Sequence, residues 1–301
     1  MIKVLIQALS FVGIIFMGFL LKRIGFFEER DFKVLSKIVI RITLTCAIIT
    51  NFNGKILDLS LFVMSAISLI FGLTLMLLAY LFNSSKDDKA FAIINATGVN
   101  IGNFVLPFAQ SFLSSNSIVA LCLFDAANGI FCLGGTYSVA QAIRNDNTKI
   151  SRINLLKPLT KSVPFMTYVI MVTLCLLHIT LPSIVINFAT IAANANAFLA
   201  MLMIGVGFKL NINKSQLSAI FKILSIRYIT AFIFTFICWF TLPIPLYCKQ
   251  ALVLLLLGPI ASACPGFTNE AELDYELSCS VNSFSILISI FLIVISLVIV
   301  I

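Results

Sequence analysis

The stretch from Ala90 to Phe112, AFAIINATGVNIGNFVLPFAQSF, carries no charge and is long enough to cross a bilayer, yet it is punctuated like a loop. Asn95, Thr97, Asn100, Asn103 and Gln110 fall at membrane depth, with Gly98, Gly102 and Pro107 among them. A proline inside a helix removes a donor and clashes with a carbonyl one turn back, at a cost of about 3 kcal/mol in water. In hydrocarbon a freed backbone group has no water to turn to, so irregular chain is tolerated only against protein or a water-filled cavity. A second stretch breaks the same rule. Tyr247 to Glu272 reads YCKQALVLLLLGPIASACPGFTNEAE, with Gly258-Pro259, Ser262, Cys264-Pro265-Gly266, Thr268 and Asn269 interrupting an apolar run.

Outward from these two stretches the chain is almost uniformly apolar. Of 301 residues, 60% are apolar and 11% charged, and the mean hydropathy is +1.11. Soluble domains carry about 25% charged residues, so the composition points to an all-α polytopic membrane protein with no room for a soluble domain. The apolar run after Lys3 extends from Val4 to Leu21 before Lys22-Arg23. That is longer than the core of a signal peptide and lacks a small-residue cleavage site, so it reads as a retained first span.

Hydrophobic windows bounded by charge and turn residues predict ten spans. They are Val4–Leu21, Leu35–Asn51, Leu59–Phe82, Ala90–Phe112, Ile118–Ile143, Val163–Thr180, Ser183–Phe208, Leu217–Thr241, Tyr247–Thr268 and Leu277–Ile301. Lys22, Arg23, Arg30, Lys33, Lys86, Lys89, Arg144, Lys149, Arg152, Lys157, Lys161, Lys209 and Lys214 fall in loops on one side, against Lys3, Lys55 and Lys249 on the other. The positive-inside rule then puts both termini outside a cell membrane. The loop after the ninth window, with Glu270, Glu272, Asp274 and Glu276 and no basic residue, runs against the trend. The net charge of +8 is explained by orientation and attraction to anionic headgroups, and no nucleic-acid partner is expected.

Both interrupted windows are fourth in a group of five. Residues 1–143 form the first group, 144–162 a polar cytoplasmic linker loop, and 163–301 the second. Five is odd, so the second copy enters the membrane from the opposite face. The prediction is two inverted five-helix repeats with broken, crossed helices 4 and 9, a pattern that marks carriers with a midplane site. Asn100, Gly102, Asn103 and Pro107 in the fourth window, and Pro259, Ser262, Pro265 and Thr268 in the ninth, would frame it. Their uncharged donors suit a carboxylate that must be released as well as bound. Asn128 and Asn282 take comparable places in the following spans.

Asp125 has two readings: a coupling site for a proton or sodium ion, or a structural carboxylate at the wetted end of its span. Arg227 lies well inside its span and is a candidate charge partner for an anionic solute, whereas Arg41 is near enough to the interface to snorkel. The eight cysteines are scattered without a C-x-x-C pair and His178 stands alone, so no metal or other cofactor is expected. No nucleophile is paired with a base and no phosphate loop is present, which argues against an enzyme.

Four landmarks share a pattern with a known family. They are Gly18–Leu44 (GFLLKRIGFFEERDFKVLSKIVIRITL), Asn100-Ile-Gly-Asn-Phe-Val-Leu-Pro107, Phe198–Leu210 (FLAMLMIGVGFKL) and Pro259-Ile-Ala-Ser-Ala-Cys-Pro265. In order and spacing the chain resembles the auxin efflux carrier family of permeases, within the larger group that includes bile-acid sodium symporters. The resemblance implies ten spans in two inverted repeats, crossed broken helices 4 and 9, alternating access and an organic anion as substrate. Thr45 stands where many members have proline, and Ser262-Ala263-Cys264 replaces the V-N-A that often follows the first proline of the ninth span. The expected function is therefore secondary-active transport of a small organic anion, with an intramembrane enzyme or a passive channel as the competing readings. The bilayer, the solute, a coupling ion and a second copy of the chain are the expected partners.

Overall fold

The computed structural model describes residues 2–57, 59–144, 152–208 and 216–300. Lys149, Lys209 and Lys214, counted above for orientation, lie outside the described residues. Among the described residues the protein is all-helical, with no strand and one isolated bridge, Val99 with Ile260.

Helix α1 (Ile2–Arg23) ends on Lys22 and Arg23, cations placed where the helix dipole favours them. Helix α2 (Glu29–Ile38) starts at a capping box in which the Glu28 amide donates to Asp31 Oδ2 at 2.8 Å. A π-helical turn, Val39–Thr43, carries it into α3 (Leu44–Phe52). After α4 (Val63–Leu81), Ser85 caps α5 (Lys86–Thr97), and Asp87 and Asp88 lie in the first turn. A π-helical turn at Ile101–Val105 leads into α6 (Leu106–Phe112), where Pro107 sits in the first turn and needs no intrahelical donor.

Helices α7 (Ser115–Ile130) and α8 (Thr136–Arg144) join through Phe131–Gly135, whose kink places Gly134 at φ 125°, a conformation suited to glycine. Then come α9 (Arg152–Lys161), α10 (Val163–Leu176), α11 (Ser183–Asn194) and α12 (Asn196–Gly207). The series ends with α13 (Leu217–Thr241), α14 (Leu246–Leu256), α15 (Cys264–Glu270) and α16 (Tyr275–Val300). The sequence predicts a linker loop over 144–162, but its second part is helix α9, in which Leu159 is buried.

Among the described residues, six helical stretches are long and apolar enough to cross a membrane: α1, α4, α7 with α8, α11 with α12, α13 and α16. Helices α10 and α14 are apolar but shorter. Outward faces carry large apolar side chains, with Phe221 76% and Phe188 71% exposed, along with Leu73, Phe236 and Phe291. Water would penalise such a surface and lipid does not.

Helix α1 lies along α12, and α3 packs on α10 and α11. Helix α4 packs on α5, α7 and α13, α5 on α8 and α15, α7 on α14, and α15 on α16. One large apolar core joins α1, α3, α10 and α12 to α4, α7 and α14. The α1–α12 contact is close enough to need glycine on both sides. A Cβ on Gly205 would stand 2.0 Å from the Ile15 carbonyl oxygen, and one on Gly18 would stand 2.5 Å from that of Leu202. Gly205→Val is expected to lower the melting temperature of the detergent-solubilised protein, with a penalty of about 1–3 kcal/mol from forcing two backbones apart. Gly13→Val, on α1 with nothing within 4 Å of its Cβ, should not lower it.

Candidate functional site

Helix α5 ends at Thr97, and Gly98 then turns extended (φ −70°, ψ 145°) before the π-helical turn begins. Helix α14 ends at Leu256, and Gly258–Ser262 run without helix until α15 starts at Cys264. Each segment leaves main-chain groups with no intrahelical partner, and each satisfies the other. The Asn100 amide donates to the Pro259 carbonyl at 2.8 Å, and the Ala261 amide donates to the Gly98 carbonyl at 3.0 Å. Together they make the antiparallel bridge between Val99 and Ile260.

Asparagines from the following helices complete the pairing. Asn128, on α7, accepts the Val99 amide through Oδ1 (3.0 Å) and donates through Nδ2 to the Val99 carbonyl (2.8 Å). Asn282, on α16, donates to the carbonyls of Ile260 (3.2 Å) and Ala261 (3.1 Å). The Ile260 amide goes to Ser285 Oγ at 3.1 Å. These two asparagines therefore clamp backbone at the site.

Arg227, on α13, is fully buried and lines none of the three cavities described below. Its Nη1 donates to the carbonyls of Ala96 (2.8 Å) and Thr97 (3.5 Å), and its Nη2 to those of Gly258 (2.8 Å) and Pro259 (3.3 Å). The guanidinium thus bonds the chain where α5 and α14 end, which corrects its expected role as partner of a bound solute. Thr268 is also turned away from the cavities. It is fully buried and bonds Asn95, Ser278 and the Cys264 carbonyl, tying α5, α15 and α16 together. Ser278 in turn donates to Asn95 Oδ1. Pro107 is buried in α6 and lines none of the three cavities either.

The other candidate residues converge on open space. A cavity of about 160 Å³ is bordered by Asn100, Gly102, Asn103, Asp125, Asn128, Tyr168 and Ser262. In it Asn103 Nδ2 donates to Ser262 Oγ at 3.1 Å, while Asn103 Oδ1 is buried without a partner. The Asn100 side chain also has no hydrogen-bond partner among the described residues. Asp125 accepts the Tyr168 hydroxyl at 2.8 Å and the Asn128 amide at 3.3 Å.

Two larger cavities, each lined in part by α2, share lining residues with this centre. One of about 900 Å³ is lined by Lys37, Arg41, Lys157 and Lys161, with Tyr137, Gln141 and one carboxylate, Glu270. It shares Ile40, Leu133, Ser162 and Pro164 with the central cavity. The other, about 560 Å³, is lined by Lys22, Arg30 and Lys33 at one end and by Pro265 and Asn282 at the other. It meets the centre at Asn100, Ser262 and Ala263.

Sequence reasoning missed Tyr168 and Ser285. A tyrosine within an apolar run needs a partner for its hydroxyl when buried, and that signal was present at Tyr168. Ser285 gave none, because its partner is a main-chain amide. Compared with known proteins, the chain matches no protein-family model and no curated protein.

Proposed function

We propose that the protein is a secondary-active carrier of a small organic anion in the cell membrane, working by alternating access. Residues 86–112 and 246–270 are then each one span interrupted at its middle, the fourth and ninth of ten. Residues 1–143 and 163–301 are inverted repeats, and the basic face is cytoplasmic with both termini outside. The similarity to auxin efflux carriers noted above agrees with this reading.

The observation that carries it is the meeting of the two non-helical segments beside a cavity whose free polar groups are uncharged amides and hydroxyls. Asn100, Asn103 and Ser262 offer hydrogen bonds that can be made and released, and the neighbouring helix starts at Ile101 and Cys264 add main-chain donors. The basic cavities supply the attraction for negative charge that the centre itself lacks. Asp125, held by Tyr168 and Asn128 on the rim of the same cavity, is the candidate proton carrier.

Purified protein should be screened by thermal shift against mono-, di- and tricarboxylates, and any stabilising acid tested for counterflow in proteoliposomes. Saturable counterflow is expected. If no carboxylate stabilises the protein or exchanges, the anion assignment falls, and non-saturable flux would make it a channel.

The vestibule makes a separate prediction. Neutralising Lys37, Arg41, Lys157 or Lys161 to glutamine should weaken the apparent affinity for a dicarboxylate by about fivefold each at low salt, from about 1 kcal/mol per charge. The loss should shrink at high ionic strength, because exposed charges are screened. Affinity that ignores both the substitutions and the salt would remove these residues from the path.

A further inference from the structure

We propose that Arg227 is a resident cation: its guanidinium holds the position at which a small metal ion would otherwise join the two interrupted helices, so that the carrier works without sodium. The geometry stands on its own, and the consequence for coupling rests on the carrier reading above.

The last turn of an α-helix leaves carbonyl oxygens without intrahelical donors, and the aligned peptide dipoles give that end a partial negative charge. Here two such ends lie against one another. Ala96 and Thr97 close α5, and Gly258 and Pro259 come just after Leu257, which caps α14. In carriers with interrupted helices, carbonyls of this kind are ligands for sodium or a proton. Arg227 reaches all four with two nitrogens, at 2.8–3.5 Å, from the middle of α13. Its side chain is 0% exposed, and among the described residues no carboxylate accepts from it; Nη1 and Nη2 donate to the four carbonyls, and Nε is buried without a partner. A full positive charge at this depth is tolerated because the two helix ends together neutralise it.

The arrangement is also directional. The carbonyl ends of α5 and α14 face Arg227, while Ile101–Asn103 and Ser262–Ala263, where the following helices begin, face the cavities. The bridge at Val99 and Ile260 lies between. The cation is fixed on one side and the space for an anion opens on the other, so the protein carries its own counter-charge. Arg227 is a positioning residue, since it touches main chain and lines none of the cavities.

Thermal melting in detergent tests this without knowledge of the solute. Wild-type protein should melt at the same temperature in sodium, lithium, potassium or choline chloride at equal ionic strength. Arg227→Lys should stay near wild type, because an ammonium keeps the charge among the same carbonyls. Arg227→Met, of similar length and without charge, should melt lower by on the order of 10 °C. Arg227→Ala opens space among the carbonyls, and its melting temperature should climb saturably with sodium or lithium but not with choline. Where Arg227→Ala does not fold in any salt, the wild-type, lysine and methionine measurements decide. A wild-type protein stabilised saturably by sodium overturns the proposal, as does Arg227→Met melting with wild type or a folded Arg227→Ala indifferent to sodium. A carboxylate screen that finds no solute leaves these melting results unchanged, so failure of the carrier reading is distinguishable from failure of this one.

Discussion

Asn128→Leu is expected to destabilise the protein, and to cost more than Asn282→Leu. Leucine has the same branched four-atom side chain as asparagine, somewhat bulkier, and removes its hydrogen bonds. Asn128 serves both the amide and the carbonyl of Val99, at 3.0 and 2.8 Å, and Val99 is 2% exposed in a part of the chain that helix does not reach. Without Asn128 the Val99 amide has no partner, while the Val99 carbonyl keeps the Ile101 amide at 3.0 Å, so one orphaned buried group gives a cost of about 1–3 kcal/mol. Asn282 serves carbonyls only, and the neighbouring amide of Ile260 keeps Ser285. Without Asn282 the Ala261 carbonyl keeps the Cys264 amide at 3.1 Å, and an under-satisfied carbonyl is tolerated better than an unpaired amide. Asn282→Leu should therefore cost less. Unfolding in graded detergent denaturation, followed by circular dichroism, measures both. An Asn128→Leu protein as stable as wild type would show that Val99 finds other partners and that the clamp is dispensable.

Asp125→Asn should abolish the pH dependence of solute uptake while leaving the fold intact. Asparagine keeps an oxygen for the Tyr168 hydroxyl, which now lies 2.8 Å from Oδ2, and gives up only the longer 3.3 Å bond from Asn128. What it loses is the ability to exchange a proton. Where one carboxyl controls uptake, the wild-type rate should change by up to about tenfold per pH unit on the controlled limb. In the variant that limb should be flat. The measurement is initial uptake into proteoliposomes over a series of external pH values, with the melting temperature of the variant as the check on folding. A variant with the wild-type profile would assign Asp125 to structure, as an acceptor that orients Tyr168 and Asn128.

Much of this architecture was legible in the sequence because hydrocarbon imposes one strong rule. Apolar runs of sufficient length must be helical, and the windows around α1, α4, α13 and α16 could be read directly. The irregular regions around residues 98–100 and 258–263 were marked by glycine, proline and asparagine. Boundaries inside the longer helical stretches were harder to see. The π-helical turns at 39–43, 101–105 and 131–135 add a residue to a turn without any one signature residue, and only Gly134 hints at its kink.

The site divided along a clear line. Side chains facing open space, such as Asn100, Asn103 and Ser262, stood out because an amide or hydroxyl at membrane depth demands an explanation. Those whose partners are main-chain atoms could not be assigned in advance. Arg227 looked like a partner for a solute because its real partners, four carbonyls, carry no residue identity. Asn128 and Asn282 line the cavities, but their bonds to main chain had no mark in the sequence either. Thr268 stood beside the interruption in sequence, but the turn of α15 carries it towards Asn95 and Ser278.

The bridge between Gly98–Asn100 and Pro259–Ala261 is made of peptide groups, which every amino acid brings. Its two bonds would survive almost any change of side chain that left room for the chains to meet. Room is the demanding part. A Cβ on Gly98 would stand 2.8 Å from Cys132 Sγ, and one on Gly258 would stand 2.6 Å from Val105 Cγ2. The junction between these two segments is therefore written in a few small or amide-bearing positions and one arginine. The surrounding apolar residues are free to drift so long as they stay apolar. The two segments could change most of their spelling and still close on each other through the same pair of peptide hydrogen bonds.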